Sequence, residues 1–146
     1  MCVIEKSPAH GTAIASHGRG LFVLGPSGSG KSGLALQLIA LGADLVSDDQ
    51  VMLTPQDGQI LMSAPGPIAG QIEARGLGLL RVACTEVNLS MVVDLGSPSP
   101  ARLPEPDRCR VLTQDYPLIR GADVPNLAFG LWVWLQHGGL YRNTSL

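Results

Sequence analysis

Gly25-Pro26-Ser27-Gly28-Ser29-Gly30-Lys31-Ser32 is a G-x-x-x-x-G-K-S run and the segment best suited to chemistry in this chain. Its glycines allow successive backbone N–H groups to turn inward as an anion nest, and a helix starting at Lys31 would aim its positive dipole end at the same point. Lys31 would reach the β and γ phosphates of a bound nucleotide and Ser32 would ligate Mg²⁺. The other reading is a glycine-rich turn before an ordinary helix, but a lysine there has no packing purpose. Asp48 and Asp49 supply paired carboxylates 16 and 17 residues beyond Ser32. Adjacent residues on a strand face opposite ways, so one acid can hold Mg²⁺ or its water while the other takes a hydroxyl proton from an acceptor. An acidic turn or a helix cap is the alternative. Glu73 and Arg75 are two apart and share a face if extended, which is equally the pattern of a surface ion pair. His10, before Gly11, reads by itself as a loop histidine.

Those residues need a scaffold that ends strands near one point. Gly11 to Ser16 is a small-residue, β-compatible run, His17-Gly18-Arg19-Gly20 reads as a turn, and Leu21 to Leu24 reads as a short apolar strand, together a hairpin. After the glycine run, Leu34, Leu38 and Leu41 recur at helical spacing, and Gly42 stands where a glycine would end the helix. Asp44 to Ser47 then reads as a buried strand finishing at the two acids, and a simple crossover would bring them beside the phosphate nest. Val51 to Thr54 and Gln59 to Met62 form a second expected hairpin about Pro55-Gln56-Asp57-Gly58. Leu89 to Leu95 is a further apolar strand. Gly96 to Arg110, with four prolines, is expected to be a loop or covering arm. Leu127 to His137 suits a terminal helix by length and a buried strand by Trp132-Val133-Trp134.

Composition narrows the classes. The 146 residues carry 45% hydrophobic and 15% charged side chains and a net charge of −2, which suits one compact domain and, without a basic run, argues against a dedicated nucleic-acid binder. Mean hydropathy is +0.23, yet the longest apolar run, Leu127 to Leu135, is about half of the ~20 residues a spanning helix needs. Met1 to Pro8 lacks the apolar stretch of a secretory signal, so the expected compartment is the cytoplasm and no membrane association is expected. Cys2, Cys84 and Cys109 are widely spaced and odd in number, and are expected to be free thiols in a reducing compartment.

The order of these motifs resembles the catalytic domain of the HPr kinase/phosphorylase family. The resemblance runs through His10-Gly11, Leu21 to Leu24, the glycine run, Leu45-Val46-Ser47-Asp48-Asp49, Ile72-Glu73-Ala74-Arg75-Gly76-Leu77-Gly78 and Leu89 to Leu95. It implies an α/β P-loop fold with a mixed β-sheet, similar to phosphoenolpyruvate carboxykinase. It also implies an ATP- and Mg²⁺-dependent protein-serine kinase acting on an HPr-like phosphocarrier protein of a phosphotransferase system, with reverse phosphorolysis. By the same resemblance, His10, Lys31, Asp48 and Arg108 match catalytic positions, with Asp48 accepting the serine proton. Ser32 and Glu73 match Mg²⁺ ligands, to which Asp49 of the acid pair is added as a metal candidate, while Glu73, Arg75, Gly76 and Gly78 belong to a signature loop. A hexamer is the family's typical assembly. The chain starts a few residues before the catalytic core, so a single domain without the N-terminal regulatory domain is expected. A basic segment tied to phosphorolysis is present only as Val124-Pro125-Asn126-Leu127-Ala128, without its arginine. A non-catalytic ATP-binding switch and a small-molecule P-loop kinase are the rival readings, the second weakened by the lack of a clustered arginine lid.

Overall fold

A computed structural model describes residues 2–140. The elements are β1 (Cys2–Ile4), β2 (Ala9–His10), β3 (Thr12–Ser16), β4 (Arg19–Leu24), α1 (Lys31–Leu41), β5 (Asp44–Ser47), β6 (Gln50–Gln56) and β7 (Gln59–Ser63). After a 3₁₀ turn at Gly66–Ile68 come β8 (Gln71–Ala74), β9 (Gly78–Arg81), β10 (Val87–Asp94), β11 (Arg108–Val111), β12 (Gln114–Arg120) and α2 (Leu127–His137).

The main sheet is mixed, with the order β1-β11-β12-β10-β4-β3-β5. β10 runs parallel to both β4 and β12, while β3 lies antiparallel between β4 and β5. The crossover β4-α1-β5 therefore returns the chain in the same direction but one strand further out, with the β3–β4 hairpin filling the gap. The period-two alternation expected of a sheet covered on both faces is visible in the core. Ile14, Leu21, Val23, Met91 and Val93 face α1 and α2, where Leu34, Ala35, Leu38, Leu131 and Leu135 pack on them. Ala13, Ala15, Phe22 and Val92 face the other way, onto Val51, Leu53, Ile60 and Met62 of the β6–β7 hairpin. That hairpin stays in the same sheet by pairing β7 with the start of β10, so the sheet folds over its own second face.

Leu127–His137 is a helix. Ala128, Leu131 and Leu135 recur at helical spacing and are buried, and the Arg19 guanidinium donates to the Leu135 carbonyl at 2.7 Å, satisfying an acceptor of the last turn. The segment expected as a loop up to Arg110 ends earlier, because residues 108–111 form β11. β11 and β12 are half-exposed and rich in charge, so they lack the apolar signature of a strand. Pro117 is tolerated within β12 because pairing with β10 begins only at Leu118. β8 and β9 form a separate two-stranded hairpin that the sequence reading did not resolve.

The cysteine expectation is corrected: Cys2 and Cys109 form a disulfide, and Cys84 is free and exposed. β1 pairs in parallel with β11, with Cys2 directly opposite Cys109, which brings together residues 107 apart in sequence. Cross-links of this kind contribute about 2–5 kcal/mol, and ~1 kcal/mol moves the Tm of a domain this size by about 2–4 °C. Dithiothreitol, or Cys2→Ser, is therefore expected to lower the melting temperature by roughly 5–15 °C. An unchanged calorimetric Tm would mean that the β1–β11 staple contributes nothing. No helix among the described residues is long and apolar enough to cross a membrane.

Candidate active site

Three segments converge at the carboxyl end of β4. The first is the turn from Gly25 to Gly30, in which Gly25, Gly28 and Gly30 adopt φ of +151°, +83° and +99°. A side chain at Gly25 would also collide with Ser29 Oγ, so glycine is required there on two counts. The turn delivers the chain into α1, whose first residue, Lys31, is buried. Lys31 Nζ folds back over the loop and donates to the carbonyls of Gly25 at 2.8 Å and Pro26 at 3.1 Å. An ammonium has three protons to donate, so one remains for an anion.

The second segment follows β5. Asp48 Oδ1 accepts hydrogen bonds from Ser32 Oγ and Thr12 Oγ1, both at 2.8 Å. The crossover expectation is met in space, although β5 lies two positions from β4. Asp48 Oδ2 takes no hydrogen bond from the described residues. Asp49 has a φ of +76°, a conformation its short polar side chain tolerates, and its carboxylate lies 3.5 Å from His10 Nδ1. The turn is held from both sides: the Gly11 N–H donates to the Asp49 carbonyl at 3.1 Å, and Ser47 Oγ donates to the Gln50 carbonyl. His10 is in place because β2 pairs with β6 through His10 and Gln50.

The third segment is the β8–β9 hairpin. Ile72 and Ala74 are buried and Glu73 is exposed, so the strand anchors by one face and presents the other. Arg75 lies in the following turn, past the end of β8, and no ion pair joins it to Glu73 among the described residues. His10, Ser27, Gly28, Gly30, Lys31, Ser32, Asp48, Asp49, Glu73 and Arg75 all line one cleft of about 580 Å³.

Arg108 is not among them. It starts β11, three strands from β4 and hence about 14 Å away at ~4.8 Å per strand. Its guanidinium lies 3.9 Å from Asp115. Beside it, partial burial works to raise the Asp107 pKa, but the Arg108 backbone N–H and the Arg120 guanidinium outweigh that and hold the carboxyl below its ordinary value. The sequence reading missed Thr12, which is 1% exposed and reaches Asp48. Its signal was available: a hydroxyl in an otherwise apolar buried strand needs a partner.

The donor set suits a hard cation. Ser32 Oγ, Asp48, Asp49 and Glu73 offer oxygen only, as Mg²⁺ prefers over thiolate or imidazole metals. Among the described residues no three acidic, histidine or cysteine side chains form a ready-made metal cage. Mg²⁺ characteristically binds through one or two carboxylates together with substrate phosphates and water.

A glycine-rich loop between a parallel strand and a helix, with carboxylates at the end of the next parallel strand, defines an α/β P-loop domain. A family model described as the HPr Serine kinase C-terminal domain matches residues 3–116, and the chain belongs to that family. The HPr kinase/phosphorylase of Clostridium tetani is 40% identical over 86 residues, covering 59% of this chain and 28% of the relative. That of Clostridium beijerinckii is 43% identical over 84 residues, covering 58% and 28%. The chain thus spans little more than a quarter of these curated relatives. In fold it is similar to the solved structure of the Hpr(Ser) kinase/phosphatase from Coxiella burnetii, with a TM-score of 0.74 and 20% identity over 91% of this chain and 90% of that one. The mixed-sheet P-loop fold expected from the sequence is therefore the one found.

Proposed function

We propose that this domain catalyses ATP- and Mg²⁺-dependent phosphorylation of a serine on an HPr-like phosphocarrier protein. The observation that carries the reading is the Asp48 carboxylate, which lines the cleft, accepts from the P-loop Ser32 at Oδ1 and leaves Oδ2 without a hydrogen bond from the described residues. The loop N–H groups and Lys31 would cradle the β and γ phosphates and neutralise charge that builds during transfer. An acceptor hydroxyl entering between the loop and β5 would lose its proton to Asp48 as its oxygen bonds to the γ phosphorus, and the bond from that phosphorus to the bridging oxygen of ADP would break. Mg²⁺, held by Ser32 with Glu73 or Asp49, would screen the phosphate charge. His10, paired with Asp49, and Arg75 stand at the rim where a protein acceptor would approach. Phosphorolysis would put inorganic phosphate in the place of ADP: a phosphate oxygen would bond to the phosphoserine phosphorus, the bond from that phosphorus to the serine oxygen would break with Asp48 returning the proton to it, and pyrophosphate would leave.

The names of the relatives and the shared family support a carrier as the acceptor. The reading is tested by ³²P transfer from γ-labelled ATP to an HPr-type protein beside its serine-to-alanine variant. Label on the serine form alone is the expected result; ATP binding without label would point to a nucleotide switch or another acceptor. We place the reaction in the cytoplasm, where ATP is supplied, and the Cys2–Cys109 disulfide is the feature that stands against a reducing compartment. A hexamer is carried by the resemblance alone, and light scattering measures it.

A further inference from the structure

A second cleft, of about 720 Å³, lies on the other side of the α1 N-terminus. One wall is the α1 face carrying Leu34, Gln37 and Leu41, which share a side by their spacing. The other wall is Leu95 with the segment from Gly121 into the first turn of α2, ending at Leu127 and Phe129. It differs in chemistry from the acidic and basic cleft above, because no charged side chain lines it. It adjoins the first cleft: Gly30 and Gly33 border both, and neither has a side chain that could stand between them. The Ser29 hydroxyl, a lining group, is buried without a hydrogen-bond partner. Phe129 leaves an aromatic ring 61% exposed at the rim.

We propose that this cleft takes the base and ribose of the nucleotide whose phosphates occupy the loop, with the ring of Phe129 against the purine. The inference rests on the nucleotide reading above and deepens it. A neutral, largely apolar cavity of this size suits an uncharged heterocycle and not a phosphate or an acidic peptide. The Gln37 and Asn126 amides and the free Ser29 hydroxyl are its few polar groups, the pattern of a site that orients a mainly apolar ligand. An aromatic face stacks on a base whatever its identity, so the site would hold purines with modest selectivity.

Two variants separate this from the phosphate cradle. Phe129→Ala removes an exposed ring and Ala40→Trp fills the cleft from an exposed helix position, so neither opens the core. Calorimetric titration of ATP and of inorganic tripolyphosphate, each with Mg²⁺, is expected to show ATP weakened about tenfold in both variants with tripolyphosphate affinity unchanged. ATP affinity equal to wild type in both variants overturns the proposal, as does an equal loss for ATP and tripolyphosphate, which would place the effect in the loop. A rise in KM for the protein acceptor with ATP binding intact would assign the cleft to the acceptor instead. If the wild type binds neither ligand, the nucleotide reading itself fails, and this inference with it.

Discussion

Asp48→Asn is expected to abolish most phosphoryl transfer while leaving ATP affinity essentially unchanged. Asparagine keeps the shape of the side chain, and its amide oxygen can still accept from Thr12 Oγ1 and Ser32 Oγ, the two bonds made by Asp48 Oδ1. What it cannot do is take up a proton at the second position, where Asp48 has its unbonded Oδ2 and asparagine presents an NH₂ group. Loss of a positioned general base typically costs a factor of about 10²–10⁴ in rate, so turnover of labelled phosphate should fall by that amount with the calorimetric Kd for ATP preserved. Asp48→Ala is the less informative variant. It would strand the Thr12 hydroxyl, which is 1% exposed, at a cost of about 1–3 kcal/mol, confusing a catalytic loss with a folding one. Undiminished turnover in Asp48→Asn would reduce Asp48 to a structural acceptor holding Ser32 and Thr12.

Lys31→Ala should instead act on binding. The buried ammonium already holds the Gly25 and Pro26 carbonyls, so part of its bonding is traded and not newly made when phosphates arrive. Hydrogen bonds to charged groups contribute about 1.5–3 kcal/mol each, and with that trade the expected loss is roughly 10- to 100-fold in ATP affinity. The same factor should apply to tripolyphosphate, because Lys31 faces the phosphates and not the second cleft. Lys31→Arg is not expected to rescue, since a planar guanidinium cannot replace a compact ammonium in a closed loop. ATP titrating identically into wild type and Lys31→Ala would refute the role of the glycine run as a phosphate cradle.

The hairpin over residues 12–24, α1 with its terminal Gly42, and the β6–β7 hairpin were legible because each is set by neighbours in sequence: turn glycines, apolar spacing and strand alternation. β11 and β12 were not, since their inner faces are narrow and Arg108, Arg110, Asp115 and Pro117 mask the period-two signal. The nature of Leu127–His137 was undecided by composition and was settled by packing, where Leu131 and Leu135 meet α1 and the sheet and Arg19 closes the last turn.

The site divides in the same way. The sequence by itself determined the shape of the glycine-rich loop, because that depends on glycine φ angles and on a helix starting at Lys31, all within eight residues. It also marked Asp48, Asp49 and Glu73 as the carboxylates worth attention. Only the tertiary structure decided that Thr12 supports Asp48 from 36 residues away, that Arg108 stands apart, and that Cys2 meets Cys109. The reason is that these distances depend on strand order and register across the sheet, which no local pattern of residues encodes.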